Sequence, residues 1–211
     1  MPTPWQIRKR LLEVCHLAAR KGYVAAYEGN FSARLPDDHI LITPSRRNKG
    51  MLTSEDLVVI DQAGRPQRAG LAPSSEFRLH TTIYAERSDV GAVAHGHPPY
   101  STAFAVSHHK LCIDCMPETM VELGNIPLVP YGTPGTHELS DRLRDHLHSA
   151  HAFLLANHGA VAVGADVDEA YFRLEMLEQA ARILYYAATL GGACSLDLAA
   201  IEKLSRTGNH T

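Results

Sequence analysis

The chain of 211 residues carries a single tryptophan and four cysteines, and no apolar run in it approaches the ~20 residues needed to cross a bilayer. So few thiols give no disulfide framework, and a cytoplasmic location is expected. The opening segment sets its charges inside a helical pattern and has no apolar core followed by a small-residue cleavage site, which argues against a secretory signal. Charge of one sign is missing as well. Twenty Lys and Arg face 23 Asp and Glu, a net charge of −3, so neither a nucleic-acid surface nor a polybasic membrane patch is expected. Repeats and low-complexity linkers are absent, and the length fits one domain over residues 1–211 with a substantial core. What the chain does have is histidine. Thirteen of them direct attention to metal ligation.

Periodicity places the elements. Ile7, Leu11, Val14 and Ala18 recur at helical spacing until Gly22. Tyr27 to Asn30 reads as a glycine-containing turn, and His39 to Thr43 and Leu57 to Asp61 read as strands separated by the basic loop Pro44–Gly50. Ser74 or Ser75 is the expected N-cap of a helix with Phe77, Thr81 and Tyr84 on one face. Val90 to Ala94 is a buried strand running into His95-Gly96-His97. After a looser middle section, Phe153 to Ala156 and Ala160 to Val163 flank Asn157-His158-Gly159 as a hairpin. Asp166 and Glu169 resemble a capping box that starts the longest helix, Val167 to Leu190, closed by Gly191-Gly192. A short helix and a loose end follow.

The chemistry concentrates at His95-x-His97. Strand side chains alternate, so both imidazoles point the same way and make a preformed pair of zinc ligands. Taken alone, the pair reads equally well as two surface histidines at a strand end. His158, in a tight turn between apolar strands, would complete a three-histidine site with positions left open for substrate or water. Glu76, near a helix start, is the candidate fourth group, although by itself it is more simply a first-turn glutamate. Ser74 and Ser75 before that helix, Gly29-Asn30-x-Ser32, and Arg46, Arg47 and Lys49 could hold an anion; singly, each reads as a cap, a turn or a solvated loop. Cys112-x-x-Cys115 has no second cysteine pair and no thioredoxin-like surroundings, and is assigned no role.

In order along the chain stand Gly29-Asn30-Phe31-Ser32, Ile42-Thr43-Pro44-Ser45, Pro73-Ser74-Ser75-Glu76, His95-Gly96-His97, Pro130 to Thr136 and Asn157-His158-Gly159. This series resembles the class II aldolase/adducin family over about Gln6 to Leu190. The resemblance implies an α/β fold, a three-layer α/β/α domain with a mainly antiparallel central sheet. It implies a C4-type homotetramer with active sites at subunit interfaces, zinc on His95, His97 and His158 (manganese or cobalt being alternatives), and Glu76 as acid/base. Asn30, Ser45, Ser74 and Ser75 would form the phosphate site. The expected substrate is a small phosphorylated sugar or related keto acid, and the expected reaction is retro-aldol cleavage of a ketose phosphate, fuculose-1-phosphate-like, to a dihydroxyacetone-phosphate-type enolate and an aldehyde. Epimerisation or decarboxylation on the same metal site, or a non-catalytic adducin-like binding module, are the alternatives. A zinc hydrolase is disfavoured because no HExxH helix is present.

Three positions depart from the family pattern. Arg46 stands where the family often has glycine, so a guanidinium fork replaces a backbone contact to the anion. Tyr27 occupies a position expected to be small or hydroxyl-bearing. Met116 stands where a tyrosine from a neighbouring subunit would protonate the leaving alkoxide; methionine has no proton to give, and Glu118 is the nearby substitute.

Overall fold

A computed structural model describes residues 2–207. Helix α1 (Pro4–Arg20) opens with a reciprocal cap: the Thr3 hydroxyl accepts from the Gln6 amide and the Gln6 side chain accepts from the Thr3 amide. Leu11, Val14, Cys15 and Ala18 form its buried stripe. Strands β1 (Asn30–Arg34), β2 (Ile40–Ile42) and β3 (Val58–Ile60) follow as an antiparallel meander. Then come α2 (Phe77–Glu86), β4 (Ala92–Gly96), α3 (Pro99–Ser107), α4 (Pro117–Leu123), β5 (Leu128–Val129) and α5 (His137–Arg144). The hairpin β6 (Ala152–Leu155) and β7 (Gly159–Gly164) precedes α6 (Val167–Thr189) and α7 (Leu198–Thr207). Among the described residues no helix is long and apolar enough to cross a membrane.

The strands make one sheet in the order β3-β2-β1-β4-β7-β6-β5, antiparallel throughout except between β5 and β6. Both faces are covered, so the central strands are apolar at every position rather than at alternate ones. Side-chain alternation still sorts them. Ala92, Ala94, Leu154, Ala160 and Ala162 pack toward α1, α3, α4 and α6, while Val93, Phe153, Leu155, Val161 and Val163 pack toward α2 and α5. The family's three-layer architecture is therefore present, with the sheet between two helical layers.

Several sequence expectations need correction. Asn30 is the first residue of a strand and not the last of a turn; Gly29, with φ +67°, makes the bend just before it. Neither serine caps α2: Glu76 holds the cap position without a side-chain cap bond, and Ser74 Oγ instead accepts from the Glu76 amide. The buried face of α2 is Leu79, His80, Ile83 and Tyr84, with Thr81 half-buried. Asp166 caps α6 as expected, but Glu169 accepts from the Ala165 amide, so the box is not closed on Asp166 itself. The middle section holds α3, α4, β5 and α5, short elements that begin at Pro99 and Pro117 or after Thr136 and carry too few turns for a periodic signal.

One buried carboxylate ties α6 to α3 near the end of β4. Glu178 of α6 accepts from the amides of Tyr100 and Ser101 and from the Ser101 hydroxyl, at 2.9, 2.8 and 2.6 Å. It neutralises the N-terminus of α3, which follows directly on His97. Glu178→Leu strands those donors in an apolar layer and is expected to destabilise the fold by roughly 2–3 kcal/mol. Denaturant titration measures this, and an unchanged midpoint would show the cap to be dispensable.

Candidate metal centre

Strand register sets the centre. β1 and β4 pair with Asn30 directly opposite His95, and β4 and β7 pair with His95 opposite Val161. His95 lies two residues beyond Val93 and shares its face, fully buried beneath α2. His97 follows the strand end, its amide donating to the Tyr23 carbonyl at 2.8 Å. His158 sits in the β6–β7 turn after Asn157, whose φ of +57° is a left-handed conformation that asparagine tolerates. The ring centroids of His95, His97 and His158 stand 5.3, 4.8 and 5.1 Å apart pairwise, and one ligand nitrogen from each lies within 4.8 Å of the others. Close approach depends on Gly159, where a Cβ would come 2.5 Å from His97 Cδ2 and 2.6 Å from the Gly96 carbonyl.

The outer nitrogens orient the rings. His95 Nδ1 donates to the Ala160 carbonyl at 2.9 Å, which leaves Nε2 as the lone-pair nitrogen. His97 Nδ1 lies 3.4 Å from a Glu28 carboxylate oxygen, again pairing the outer nitrogen with an acceptor. The Nε2 atoms of His95 and His97 are buried and form no hydrogen bond, and His158 turns its Nε2 toward the same Glu76 carboxylate that His95 faces. Buried polar atoms are otherwise almost always paired, and three such imidazoles converging on one point are the donor set of a divalent transition ion. The residues fit a metal.

Glu76 completes the cluster. Its Oε2 accepts from Asn30 Nδ2 at 2.7 Å and lies 3.2 Å from His95 Nε2, while Oε1 lies 3.3 Å from His158 Nε2. The two histidine contacts lack hydrogen-bond angles, so they are electrostatic. Burial alone would raise the Glu76 pKa; the charge at His95, the charge at His158 and the Asn30 amide hydrogen bond outweigh it and hold the carboxylate well below its usual range. Burial pushes His95 down, but Glu76 and the Ala160 carbonyl reverse the sign and raise it. Burial and the charge at His95 depress His97, and the same causes bring His158 to about 3. One ionised carboxylate among three imidazoles calls for positive charge in their midst, and a cation bound by neutral rings meets that demand.

Backbone pairing sets some of the anion-site candidates on neighbouring segments. Thr43 and Ser45 bond across to Ser74 and Ala72 through their backbones, and Thr43 also pairs with Phe31. Asn30, Ser45, Ser74 and Glu76 are thereby carried on adjoining segments. Ser75 and Arg46 are exposed, Arg46 with φ +54°. Lys49 is buried and donates to the carbonyls of Tyr27 and Arg47 at 2.9 and 3.0 Å; it pins two loops together instead of presenting a free charge. Glu118 is exposed in the first turn of α4, without an ion pair or hydrogen bond to the cluster, and Met116 packs against the core. A cavity of about 750 Å³ between the start of α1 and residues 54–71 contains none of these groups. Chemistry, not cavity volume, marks the site.

Sequence reasoning missed Glu28, His80 and Tyr84 as site neighbours, and it offered Ser32 to an anion, whereas Ser32 is fully buried and bonded to His80 and Tyr84. The signal for two of them was available: Glu76, His80 and Tyr84 are four apart, one face of a helix.

Residues 9–185 match the family described as Class II Aldolase and Adducin N-terminal domain. The chain belongs to this family. An L-fuculose phosphate aldolase of Methanococcus maripaludis is 34% identical over 174 residues, covering 82% of this chain and 93% of that one. A 3-oxo-tetronate 4-phosphate decarboxylase of Haemophilus influenzae is 31% identical over 175 residues, covering 78% and 80%. The crystal structure of YgbL from Klebsiella pneumoniae superposes with a TM-score of 0.88 at 30% identity, over 97% of this chain and all of that one.

Two predictions follow from the geometry. Gly159→Ala drives a methyl into His97 and is expected to weaken metal binding ~10–100-fold, the range for disturbed ligand support, as read by competition with a chelator; unaltered affinity would show the close approach to be slack. In metal-free protein, buried His80 and His158 stay neutral down to about 3, whereas unfolded histidine titrates near ~6.5. The unfolded state therefore binds more protons between those values, and stability is lost as pH falls through that window. Denaturation midpoints of apoprotein should decline from pH 6.5 downward; a flat profile contradicts the assignment.

Proposed function

We propose that this chain is a zinc-dependent aldehyde-lyase that cleaves a ketose phosphate of the fuculose-1-phosphate type by retro-aldol chemistry. The observation that carries the reading is Glu76, an ionised carboxylate held by Asn30 against three converging imidazoles. A scaffold has no use for such a group, since burying a carboxylate is costly unless it is paired. This sets the adducin-like binding module aside.

His95, His97 and His158 would hold the ion, with zinc suited to a three-nitrogen set and manganese or cobalt also acceptable. When bound, the ion supplies Lewis acidity toward a carbonyl oxygen of the substrate. Asn30, Ser45, Ser74 and Ser75, with Arg46 at the rim, bind the phosphate and fix the sugar. As the carbon–carbon bond breaks, the hydroxyl on the departing carbon loses its proton and the carbon left beside the carbonyl gains one. Glu76 carries a proton to that carbon. Glu118 serves the departing oxygen from a neighbouring subunit of a homotetramer, its exposed place on α4 being open to such an approach.

A second reading is favoured by one observation. Met116 can neither take nor give a proton where the family tyrosine would stand. Decarboxylation of a 3-keto acid phosphate leaves the same enolate, needs Glu76 for the same protonation, and releases carbon dioxide in place of an aldehyde. Arg46 suits a carboxylate as well as a phosphate.

Metal content and a screen of phosphorylated ketoses and keto acids on zinc-loaded protein test both readings. A trapped aldehyde identifies aldol cleavage and released carbon dioxide identifies decarboxylation. His97→Ala is expected to lose metal and turnover together, while Glu76→Gln keeps metal and loses ~10²–10⁴-fold in kcat. Wild-type activity of His97→Ala at low metal would sink the ligand assignment.

A further inference from the structure

Behind Glu76 lies a chain of buried polar groups that the proposed chemistry does not use. Asn30 Oδ1 meets His80 Nε2, His80 Nδ1 meets Ser32 Oγ at 2.6 Å, and Ser32 Oγ meets the Tyr84 hydroxyl at 2.7 Å. His80 and Ser32 have no exposed surface and Tyr84 almost none. Buried polar groups that only stabilised a fold would be replaceable by apolar ones of the same shape, so the arrangement calls for another account.

Its spacing explains how it forms. Glu76, His80 and Tyr84 lie four apart at the start and along one face of α2, while Asn30 and Ser32 lie two apart on one face of β1. Four helical residues advance ~6.0 Å and two strand residues ~6.6 Å, so the two ladders stay in step. Each rung of the helix meets a rung of the strand.

The donors and acceptors allow one direction. Asn30 Nδ2 donates to Glu76 Oε2 at 2.7 Å, which turns the Asn30 oxygen toward His80. That oxygen only accepts, so His80 must carry its proton on Nε2. Burial keeps the ring neutral. His80 Nδ1 then accepts from Ser32, whose oxygen accepts from Tyr84. Without the His80 donor the Asn30 amide is free to flip, and its oxygen would face the Glu76 carboxylate.

We infer that His80 is a positioning residue: its Nε2–H holds the Asn30 side chain with the amide nitrogen toward Glu76 and toward any anion bound beside it, and the Ser32 hydroxyl, donating to Nδ1, fixes the tautomer of His80. This rests on the reading of Glu76 and Asn30 given above. His80 itself touches neither the ligand nitrogens nor the substrate.

The test compares His80→Leu, His80→Gln and Tyr84→Phe in zinc-loaded protein. In His80→Gln the side-chain amide nitrogen can take the place of Nε2 and restore the donor. His80→Leu is expected to keep its metal, lower kcat ~10–100-fold, the range for lost support of a site, and raise KM, because Asn30 also faces the anion. His80→Gln should recover most of both. Tyr84→Phe should lower the thermal midpoint while leaving kcat and KM near wild type. Turnover that falls in step with thermal midpoint across all three variants, or a folded, metal-replete His80→Leu with wild-type constants, overturns the inference.

The reading of Glu76 fails separately, through a Glu76→Gln variant with undiminished kcat. A measurement independent of activity covers that case. In ¹⁵N-histidine-labelled protein, with His80→Gln used to assign the signal, His80 should be neutral with its proton on Nε2. A proton on Nδ1 overturns the inference whatever the kinetics show.

Discussion

Everything at this site depends on keeping the Glu76 carboxylate ionised and nearly dry. A buried carboxylate tends to take up a proton, because desolvation disfavours its charge. His95, His158 and the Asn30 amide reverse that tendency. They can do so only because the β1–β4 register sets Asn30 opposite His95, and β7, paired with β4, carries the β6–β7 turn and its His158 to the same point. A slip of one residue in either pairing would send His95 or Asn30 to the opposite face, into the apolar layer beneath α1 and α6. The apolar alternation of β4, β6 and β7 guards against that slip. Core packing and chemistry are thus specified by the same strand phases.

The histidine cluster was legible in the chain because its members fall in strongly patterned places: a strand end for His95 and His97, a hairpin turn for His158. The ordered motifs then made the family recognisable and, with it, the three-layer fold. β1 was not legible, and the reason is physical. Asn30-Phe31-Ser32-Ala33-Arg34 turns its polar residues inward, toward His80, Tyr84 and Glu76, so it lacks the apolar-in pattern by which a half-buried strand is known. His80 escaped notice for the complementary reason. A histidine inside a short helix signals nothing until the strand beneath it is known to present an amide and a hydroxyl. Local rules tend to fail where a fold departs from them for function.

The two halves of the site are unequally furnished by one chain. Metal ligands, Glu76 and the Asn30 corner sit on sheet strands and a helix start, elements whose positions are over-determined by packing. The middle section is different: α4 is only seven residues long, Met116 is turned into the core, and Glu118 faces solvent. Under the proposed reaction, the groups that would grip the departing fragment come from less constrained structure. That division accounts for a family in which relatives sharing about a third of their residues with this chain carry the names of an aldolase and a decarboxylase.

The division also says where a choice between those chemistries resides. Both break a bond beside a carbonyl and leave electrons that must be stabilised and then protonated, so both need the imidazoles and Glu76 in the same place. They part only at the leaving group: an aldehyde oxygen begins as a hydroxyl that must surrender a proton, whereas carbon dioxide leaves with none. Selectivity thus turns on whether a proton-handling group reaches the far side of the substrate, and in this chain the residue at that position is a methionine with a glutamate two places on. The sheet fixes what is common to the reactions. The exposed edge of α4 is where they can diverge.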